Sequence, residues 1–319
     1  MPASKSIPEA LSGRTDISAP PGDMNVEIDA SLIVCTRNRA GQLKPCLQAI
    51  AELEYTGTWE IIIVDNGSTD ATQGVIRAVA PDMPAPLVSI VETRPGLSAA
   101  RNAGLAVARG RIIIFTDDDC YVAPDYVAQA TAAFADERIG FVTGRVELHD
   151  PSDARVTINT SREPRRFRAR QYIHVDRIIG ANFAFRRSII ARIGVFDELI
   201  GAGTQIGGGE DTDYAARIVH AGWEGLYCPD MVISHHHGRK EADIPKMLRA
   251  YAEGQGAYTL KYLLRGDVPG FLKGIVSVRW QIGPPNRWNR DTLSLLYRLA
   301  KGTWSYGFAR LFSRPAHSS

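Results

Sequence analysis

The feature that most constrains the fold is a short apolar run that ends in three consecutive carboxylates, RIIIFTDDDC at residues 111–120. Residues 112–115 are β-branched or aromatic without polar alternation, which is typical of a strand covered on both faces in a parallel sheet. Asp117, Asp118 and Asp119 follow directly. Such carboxylates repel one another unless a cation neutralises them, and ligands bind at the carboxyl ends of strands in open α/β sheets. The run predicts a ligand or cation site, with a solvated acidic turn as the alternative.

Strand and helix patterns alternate along the chain from about residue 31 to residue 117. Four β–α alternations with short connections predict an α/β fold with a mostly parallel, doubly wound sheet. A glycine-rich segment, residues 201–209, is predicted to be a mobile loop, and a helix is predicted to begin at Glu210. Strands are predicted at 31–36, 59–66, 87–92, 111–117, 141–148, 181–186 and 227–234, and a further helix at 98–108.

Composition divides the chain into three parts. Residues 1–27 are rich in Pro, Ser and Gly and lack periodicity, which predicts a disordered leader. Residues 28–240 hold the α/β pattern, and 241–319 are predicted to be a helical extension. From Lys246 onward, twelve Lys and Arg face three acidic residues, and aromatic residues are interspersed. Two interpretations stay open for this extension: helices packed on the domain, or an interfacial segment on an anionic membrane.

The cysteines and the apolar runs bear on location. The four cysteines form no CxxC pair and no disulfide-like framework, which favours a reducing compartment. The first 27 residues lack the apolar core of a signal peptide, and no apolar run reaches the roughly 18 residues of a transmembrane helix. We therefore expect a cytoplasmic protein, or one that is peripheral on the inner face of the cell membrane.

Polar residues follow several predicted strands at what would be one edge of the sheet. Thr36 and Arg39 follow the first strand, Asp65 ends the second, and the three aspartates end the fourth. A nucleotide would lie at such an edge. Asp65 suits the N–H of a uracil-type base, the aspartates suit ribose and metal, and Arg39 and Arg101 suit the charge of a diphosphate.

Two acidic residues, Glu210 and Asp211, begin a predicted helix just after the glycine-rich loop. Acids in a first helical turn can simply complement the helix dipole. A carboxylate below a mobile loop is, however, well placed to act as general base for a hydroxyl. The sequence does not decide which of the two acids faces the site.

Three consecutive histidines, residues 235–237, follow a strand pattern. Alternate side chains of an extended segment point to opposite faces, so at most His235 and His237 share one. One of them could complete a cation site with Asp119. His235 is favoured because it directly ends the strand, and a polar loop of solvated imidazoles is the alternative.

Seven motifs follow one another along the chain: VCTRNR (34–39), IIIVDNGSTD (61–70), GLSAARNAGLAVARG (96–110), IIIFTDDDC (112–120), GANFAFRR (180–187), GGEDTDYAARIVHAGW (208–223) and CPDMVISHHH (228–237). In this order they resemble the family 2 glycosyltransferases, which are inverting enzymes of the GT-A fold. The resemblance implies that Asp65 recognises the base and that Asp117 and Asp119 form the DxD pair, with Asp119 as metal ligand. It implies that Asp211 is the catalytic base and His235 an additional metal ligand.

The resemblance also implies a reaction and its partners. One sugar would move from a nucleotide-diphosphate sugar, with a UDP-linked donor expected, to an acceptor hydroxyl, and Mn²⁺ or Mg²⁺ would assist. Thr36, Arg39, Arg101 and Asp118 are expected on the donor side. The acceptor is expected to be a saccharide or a lipid-linked molecule in cell-surface polysaccharide or glycolipid synthesis, and no nucleic acid is expected as a partner.

Competing functions fit the sequence less well. A non-catalytic nucleotide-sugar-binding protein on the same fold is the alternative, but it would not need Asp211 or a closing loop. A sugar nucleotidyltransferase would show an early glycine-rich triphosphate loop, and residues 31–45 contain only Gly41. A dinucleotide-dependent dehydrogenase is disfavoured because no GxGxxG follows the first strand.

Overall fold

The computed structural model describes residues 27–282 and 290–312. The predicted disordered leader therefore lies, up to residue 26, outside the described residues. The helices are α1 (Ala40–Ala51), α2 (Thr72–Val79), α3 (Leu97–Val107), α4 (Tyr126–Ala132), α5 (Ile190–Ile193), α6 (Glu210–His220), α7 (Ile244–Leu264), α8 (Val268–Ile282) and α9 (Arg290–Phe312).

A single nine-stranded sheet organises the described part of the chain, in the order β3-β2-β1-β4-β8-β6-β9-β5, with β7 paired to β9. The four strands from β3 to β4 are parallel, as the alternating pattern predicts. The strands are β1 (Ala30–Thr36), β2 (Trp59–Asp65), β3 (Leu87–Val91), β4 (Ile112–Asp117), β5 (Cys120–Val122), β6 (Ile139–Leu148), β7 (Arg165–Phe167), β8 (Asn182–Arg186) and β9 (Glu224–His235).

Helices cover both faces of this sheet, which confirms the doubly wound α/β architecture. In β1, Leu32 and Val34 pack in one core with apolar residues of α1, α2 and α4. Ile33, between them, belongs to a second core on the opposite face, with residues of α3, α6 and α7. The alternation follows from the pleat, which turns successive side chains to opposite faces.

The second half of the sheet includes antiparallel strands. β8 is antiparallel to both β4 and β6, and β5 is antiparallel to β9. In the β5–β9 pair, Cys120 lies opposite His235. This register brings the end of the DDD segment beside the histidines, although more than a hundred residues of sequence separate them.

The C-terminal helices pack on the α/β domain through α7. Tyr258 and Tyr262 of α7 belong to the same core as α6, and the Tyr258 hydroxyl donates to the Ile173 carbonyl at 2.7 Å. α9 then packs closely on α7, because a Cβ at Gly302 would lie only 1.9 Å from the Glu253 carbonyl oxygen. Among the described helices, none has the length and apolarity required to cross a membrane.

Candidate active site

Asp119 lies at the centre of the sheet edge that the sequence predicts to be functional. It is buried, and its Oδ1 is 3.2 Å from His235 Nε2 while its Oδ2 accepts a hydrogen bond of 2.6 Å from Arg39 Nη2. Burial opposes ionisation, but the hydrogen bond and charge of His235, together with Arg39, lower the pKa of Asp119 to about 2. A permanently ionised carboxylate beside an imidazole is a suitable start for a divalent-cation site.

Cys120 completes a group of three potential ligands with Asp119 and His235, whose ligand atoms all lie within 4.8 Å of one another. Burial raises the pKa of the Cys120 thiol well above its usual value. The sulfur therefore stays protonated, and a neutral thiol is a poor ligand for a hard cation. The effective donors are the carboxylate and the imidazole.

Asp118, which directly follows β4, contacts the end of β1 and shares Arg39 with Asp119. The Thr36 hydroxyl donates to Asp118 Oδ2 at 2.7 Å, and Arg39 Nε is 3.3 Å from Asp118 Oδ1. Burial raises the pKa of Asp118 to about 7, although Arg39 and Thr36 oppose the shift. The structure thus brings the predicted donor-side residues Thr36, Arg39 and Asp118 together.

Arg101 connects the aspartates to α6. Its side chain is buried, with Nη1 3.1 Å from Glu210 Oε1 and Nη2 3.8 Å from Asp117 Oδ1. The guanidinium also lies 5.4 Å from the centre of the Phe115 ring and 5.5 Å from that of Phe196. Arg101 therefore offsets the negative charges of Glu210 at the start of α6 and of Asp117 at the end of β4.

The two acids that begin α6 differ in exposure. Glu210 is buried against Arg101, whereas Asp211 is partly exposed and its Oδ1 accepts the Thr212 N–H at 2.6 Å. Burial, and then the charge of Asp211, raise the pKa of Glu210 to about 7. Burial also raises the pKa of Asp211, against the charge of Arg101 and hydrogen bonds from the backbone. Asp211 is therefore the more exposed of the two acids.

Gly180 lies between the Arg101 and Asp211 side chains, which leave no room for a Cβ atom. A Cβ at this position would lie 2.8 Å from Arg101 Nη2 and 3.0 Å from Asp211 Oδ2. Any larger residue would therefore push the arginine and the acid apart. The glycine lies in one of the motifs, but the sequence did not reveal this contact, because it depends on three segments that meet only in the fold.

Asp65 occupies the predicted edge, in register with Thr36 of the neighbouring strand. Its Oδ1 accepts the Ser68 N–H at 2.8 Å, and Gln73 donates to its Oδ2. Asp65 is buried and holds the turn between β2 and α2. Its role in base recognition stays a prediction.

His237 lies beside His235 of the proposed cation site. The rings of His235 and His237 are 5.1 Å apart, so they share a side, as the alternation argument predicts. His237 Nδ1 accepts the Arg239 N–H and lies 3.7 Å from Asp153, and its pKa is lowered by burial. His235 makes the contact with Asp119, which supports the preference for His235 as ligand.

One wall of the site comes from a part of the chain that no motif covers. The carbonyl oxygen of Gly208 would lie 2.3 Å from a Cβ at Gly254 of α7, so the glycine-rich loop packs directly on this helix. Tyr251, one turn earlier, lies close enough for the charges of Asp211 and Glu210 to act on its hydroxyl, although burial is the main cause that raises its pKa to about 12. The sequence gives no signal for this wall beyond a helical pattern.

Comparisons with known proteins agree on one family. The family model described as glycosyl transferase family 2 matches residues 31–194. Glycosyltransferase AglE of Haloferax volcanii is 25% identical over 230 residues, which cover 70% of this chain and 72% of that protein. A PGL/p-HBAD biosynthesis glycosyltransferase of Mycobacterium tuberculosis is 32% identical over 168 residues, or 52% of this chain and 60% of that protein.

Solved structures show the same fold. Mannosyltransferase PcManGT from Pyrobaculum calidifontis, in complex with GDP-Man and Mn²⁺, aligns with a TM-score of 0.57 and 21% identity over 91% of this chain and 89% of that one. Staphylococcus aureus TarS 1–349 aligns with a TM-score of 0.53 and 14% identity over 91% and 93%. These likenesses confirm the GT-A fold that the sequence predicts.

Proposed function

The chain belongs to glycosyl transferase family 2, and on that premise we propose that it moves one sugar from a nucleotide-diphosphate sugar to an acceptor hydroxyl with inversion at the anomeric carbon. The observation that carries the proposal is that Asp119, paired with His235, and a partly exposed Asp211 lie at one edge of the sheet, where Arg101 pairs with the neighbouring acids Asp117 and Glu210. The part of the edge at Asp119 and His235 suits a diphosphate with its cation. The part at Asp211 suits an acceptor hydroxyl that must lose a proton.

Asp119 and His235 would hold a divalent cation. The donor set fits, because Asp119 Oδ1 and His235 Nε2 lie 3.2 Å apart and the charge of Arg39 helps to keep the carboxylate ionised. Mg²⁺ prefers oxygen ligands, so the imidazole favours Mn²⁺. When bound, the ion would supply positive charge against the departing diphosphate. The solved neighbour PcManGT is in complex with Mn²⁺, which supports this choice.

Asp211 is proposed as the general base. A carboxylate with a raised pKa accepts a proton more readily than an ordinary aspartate, and Asp211 is the more exposed of the two acids. Glu210 is tied to Arg101, so it supports the arginine instead of contacting the acceptor. Proton transfer to Asp211 would accompany attack of the acceptor oxygen from the face opposite the diphosphate, which accounts for inversion.

Arg39 and Arg101 are proposed to contribute positive charge on the donor side. The Arg39 side chain is about one-third exposed, which leaves it accessible to a phosphate. The Arg101 side chain is buried and contributes its charge by pairing with Asp117. A UDP-linked donor is proposed from the base-recognition role of Asp65. Cys35 and Arg37 replace the proline and tyrosine that the family often has after the first strand, so Arg37 would take the place of an aromatic residue near the base.

Cell-surface polysaccharide or glycolipid synthesis is the proposed role. A mycobacterial relative is named for PGL/p-HBAD biosynthesis, which supports this role. All four cysteines are free, which supports a reducing, cytoplasmic location. The acceptor is accordingly proposed to be a saccharide or a lipid-linked molecule.

The proposal is tested with a panel of nucleotide sugars. Release of nucleotide diphosphate is measured for UDP-, GDP- and TDP-sugars, with added Mn²⁺, with added Mg²⁺ and with chelator. We expect nucleotide diphosphate to be released from one class of donor, and only when the divalent metal is present. Tight, metal-dependent binding of a nucleotide sugar without release or transfer to any acceptor would instead support the non-catalytic binding protein.

A further inference from the structure

The last helix presents an apolar stripe that faces away from the protein. Trp304 is 76% exposed and Leu311 is 82% exposed, the highest values among the large apolar residues described. The spacings within the stripe are four, seven, four and three residues, which place all its members on one side of a helix. The stripe consists of Leu293, Tyr297, Trp304, Phe308 and Leu311.

The opposite side of α9 is the side that packs on the protein. Leu299, Gly302 and Tyr306 are buried there, and α7 contacts the helix through them. The exposed stripe is therefore not the side by which α9 packs on the protein. α9 thus has two apolar sides: one is buried against α7, and the other is exposed.

The preceding helix repeats this arrangement. Gly270 and Gly274 of α8 pack on α7, where an added Cβ would lie 2.3 Å from the Tyr262 ring and 2.7 Å from Thr259. The outward side carries large apolar residues that are about half exposed. They are Val268, Leu272, Ile275 and Val276.

The charge around these stripes is positive. No acidic residue occurs from residue 268 to residue 290, and none occurs after Asp291. Glu253 of α7 is paired with Arg298 and Lys301, so it adds no free negative charge. Lys273 and Arg310 are exposed. Exposed apolar patches on a protein surface mark interaction sites, and the exposed apolar residues of α8 and α9 lie on helices that also carry exposed basic residues.

We propose that α8 and α9 dock on the surface of a bilayer that contains anionic phospholipids. Trp and Tyr side chains are favoured at the headgroup level, while basic residues are attracted to anionic lipids. A second copy of the chain fits less well, because pairing the same patch would bring two sets of cations together. Docking of this kind does not depend on the proposed activity.

The docking surface is connected to the active site. α7 packs on both α8 and α9, and its Gly254 also contacts the glycine-rich loop beside Asp211. A bilayer bound by α8 and α9 would therefore be held in a fixed relation to the acid that accepts the proton. If the proposed function holds, this relation suits an acceptor that is itself anchored in the membrane.

The experiment is co-sedimentation of the full chain with vesicles. Neutral phosphatidylcholine vesicles are compared with vesicles that also contain phosphatidylglycerol, at low and at high salt. We expect binding to the anionic vesicles at low salt and weaker binding at high salt. Trp304→Ser combined with Leu311→Ser should lower the vesicle partition coefficient by about tenfold or more, because two large apolar side chains leave the interface.

A matched control is Val195→Ser, because Val195 is also exposed but lies in the α/β domain. It should bind vesicles like the wild type, as should Asp211→Asn, so that a failure of the docking and a failure of the catalytic proposal are distinguishable. Equal vesicle binding by the wild type and the double variant would overturn the proposal. A dimer in light scattering that dissociates in the double variant would overturn it too, in favour of self-association.

Discussion

Asp213 is the residue whose substitution gives the sharpest test of how α6 is held. Its carboxylate is almost completely buried and contacts three cations, with Lys261 Nζ at 2.8 Å, Arg265 Nη2 at 2.9 Å and Arg217 Nε at 3.1 Å. Two of these cations come from α7 or the residue just after it. The cluster therefore fastens α6, which carries Asp211 at its start, to the C-terminal helices.

Asp213→Asn should lower the free energy of unfolding by about 3 kcal/mol. Removing one partner of a buried ion pair costs about 3–5 kcal/mol, because the remaining charge is left uncompensated. Here the lower end applies, since Lys261 keeps Asp197 as a partner and the Arg265 side chain is 26% exposed. The amide of asparagine also keeps part of the hydrogen bonding.

The effect should depend on pH in a defined direction. Burial opposes ionisation of Asp213, but Lys261, Arg217 and Arg265 lower its pKa below the ordinary value. A carboxylate with a lowered pKa in the folded state stabilises the protein above its unfolded pKa of about 3.9 and loses this effect as the pH falls further. The difference between wild type and Asp213→Asn should therefore be full at neutral pH and shrink below about pH 4.

Equilibrium unfolding in urea, followed by tryptophan fluorescence, measures the difference. Asp230→Asn is the control, because Asp230 is an exposed aspartate, and it should change stability by less than about 0.5 kcal/mol. If Asp213→Asn were as stable as this control at neutral pH, the ion pairs of Asp213 would not stabilise the packing of α6 on the C-terminal helices.

Two further predictions concern the active site. Asp119→Ala should abolish metal-dependent donor binding in titration calorimetry, because the cation loses its anionic ligand; donor affinity that is unchanged and insensitive to chelator would remove the metal assignment. Gly180→Ala should lower kcat by about tenfold or more without a comparable loss of stability, because its methyl group would displace Asp211 and Arg101 by fractions of an ångström. Exposed Gly74→Ala, whose Cβ would contact nothing within 4 Å, is the control and should keep wild-type turnover.

Much of the fold follows from local patterns in the sequence. The apolar run before Asp117 predicts a strand at 111–117, and the structure has β4 at Ile112–Asp117. The helix predicted to begin at Glu210 spans Glu210–His220. These elements are predictable because their periodicity, bounded by glycine or acidic residues, is contained in a few neighbouring residues.

Contacts between distant segments could not be predicted in the same way. Asp119 and His235 meet because β5 pairs with β9, and the sequence offered this contact only as one of two interpretations of the three histidines. Arg101 was expected to face a diphosphate, yet in the structure it forms ion pairs with Glu210 and Asp117. Tyr251 and Gly254 belong to a helix whose pattern shows only that it is a helix. Side-chain partners across the fold depend on packing that no local pattern encodes.

The most direct test of the central claim is the turnover of Asp211→Asn with donor affinity measured on the same preparation. Asparagine keeps the shape of the side chain but cannot accept the proton. We expect donor affinity within about twofold of wild type and turnover lower by about 10²-fold or more, the range for a lost general base. Wild-type turnover by Asp211→Asn, with a large loss in Glu210→Gln instead, would contradict the account and move the base to Glu210.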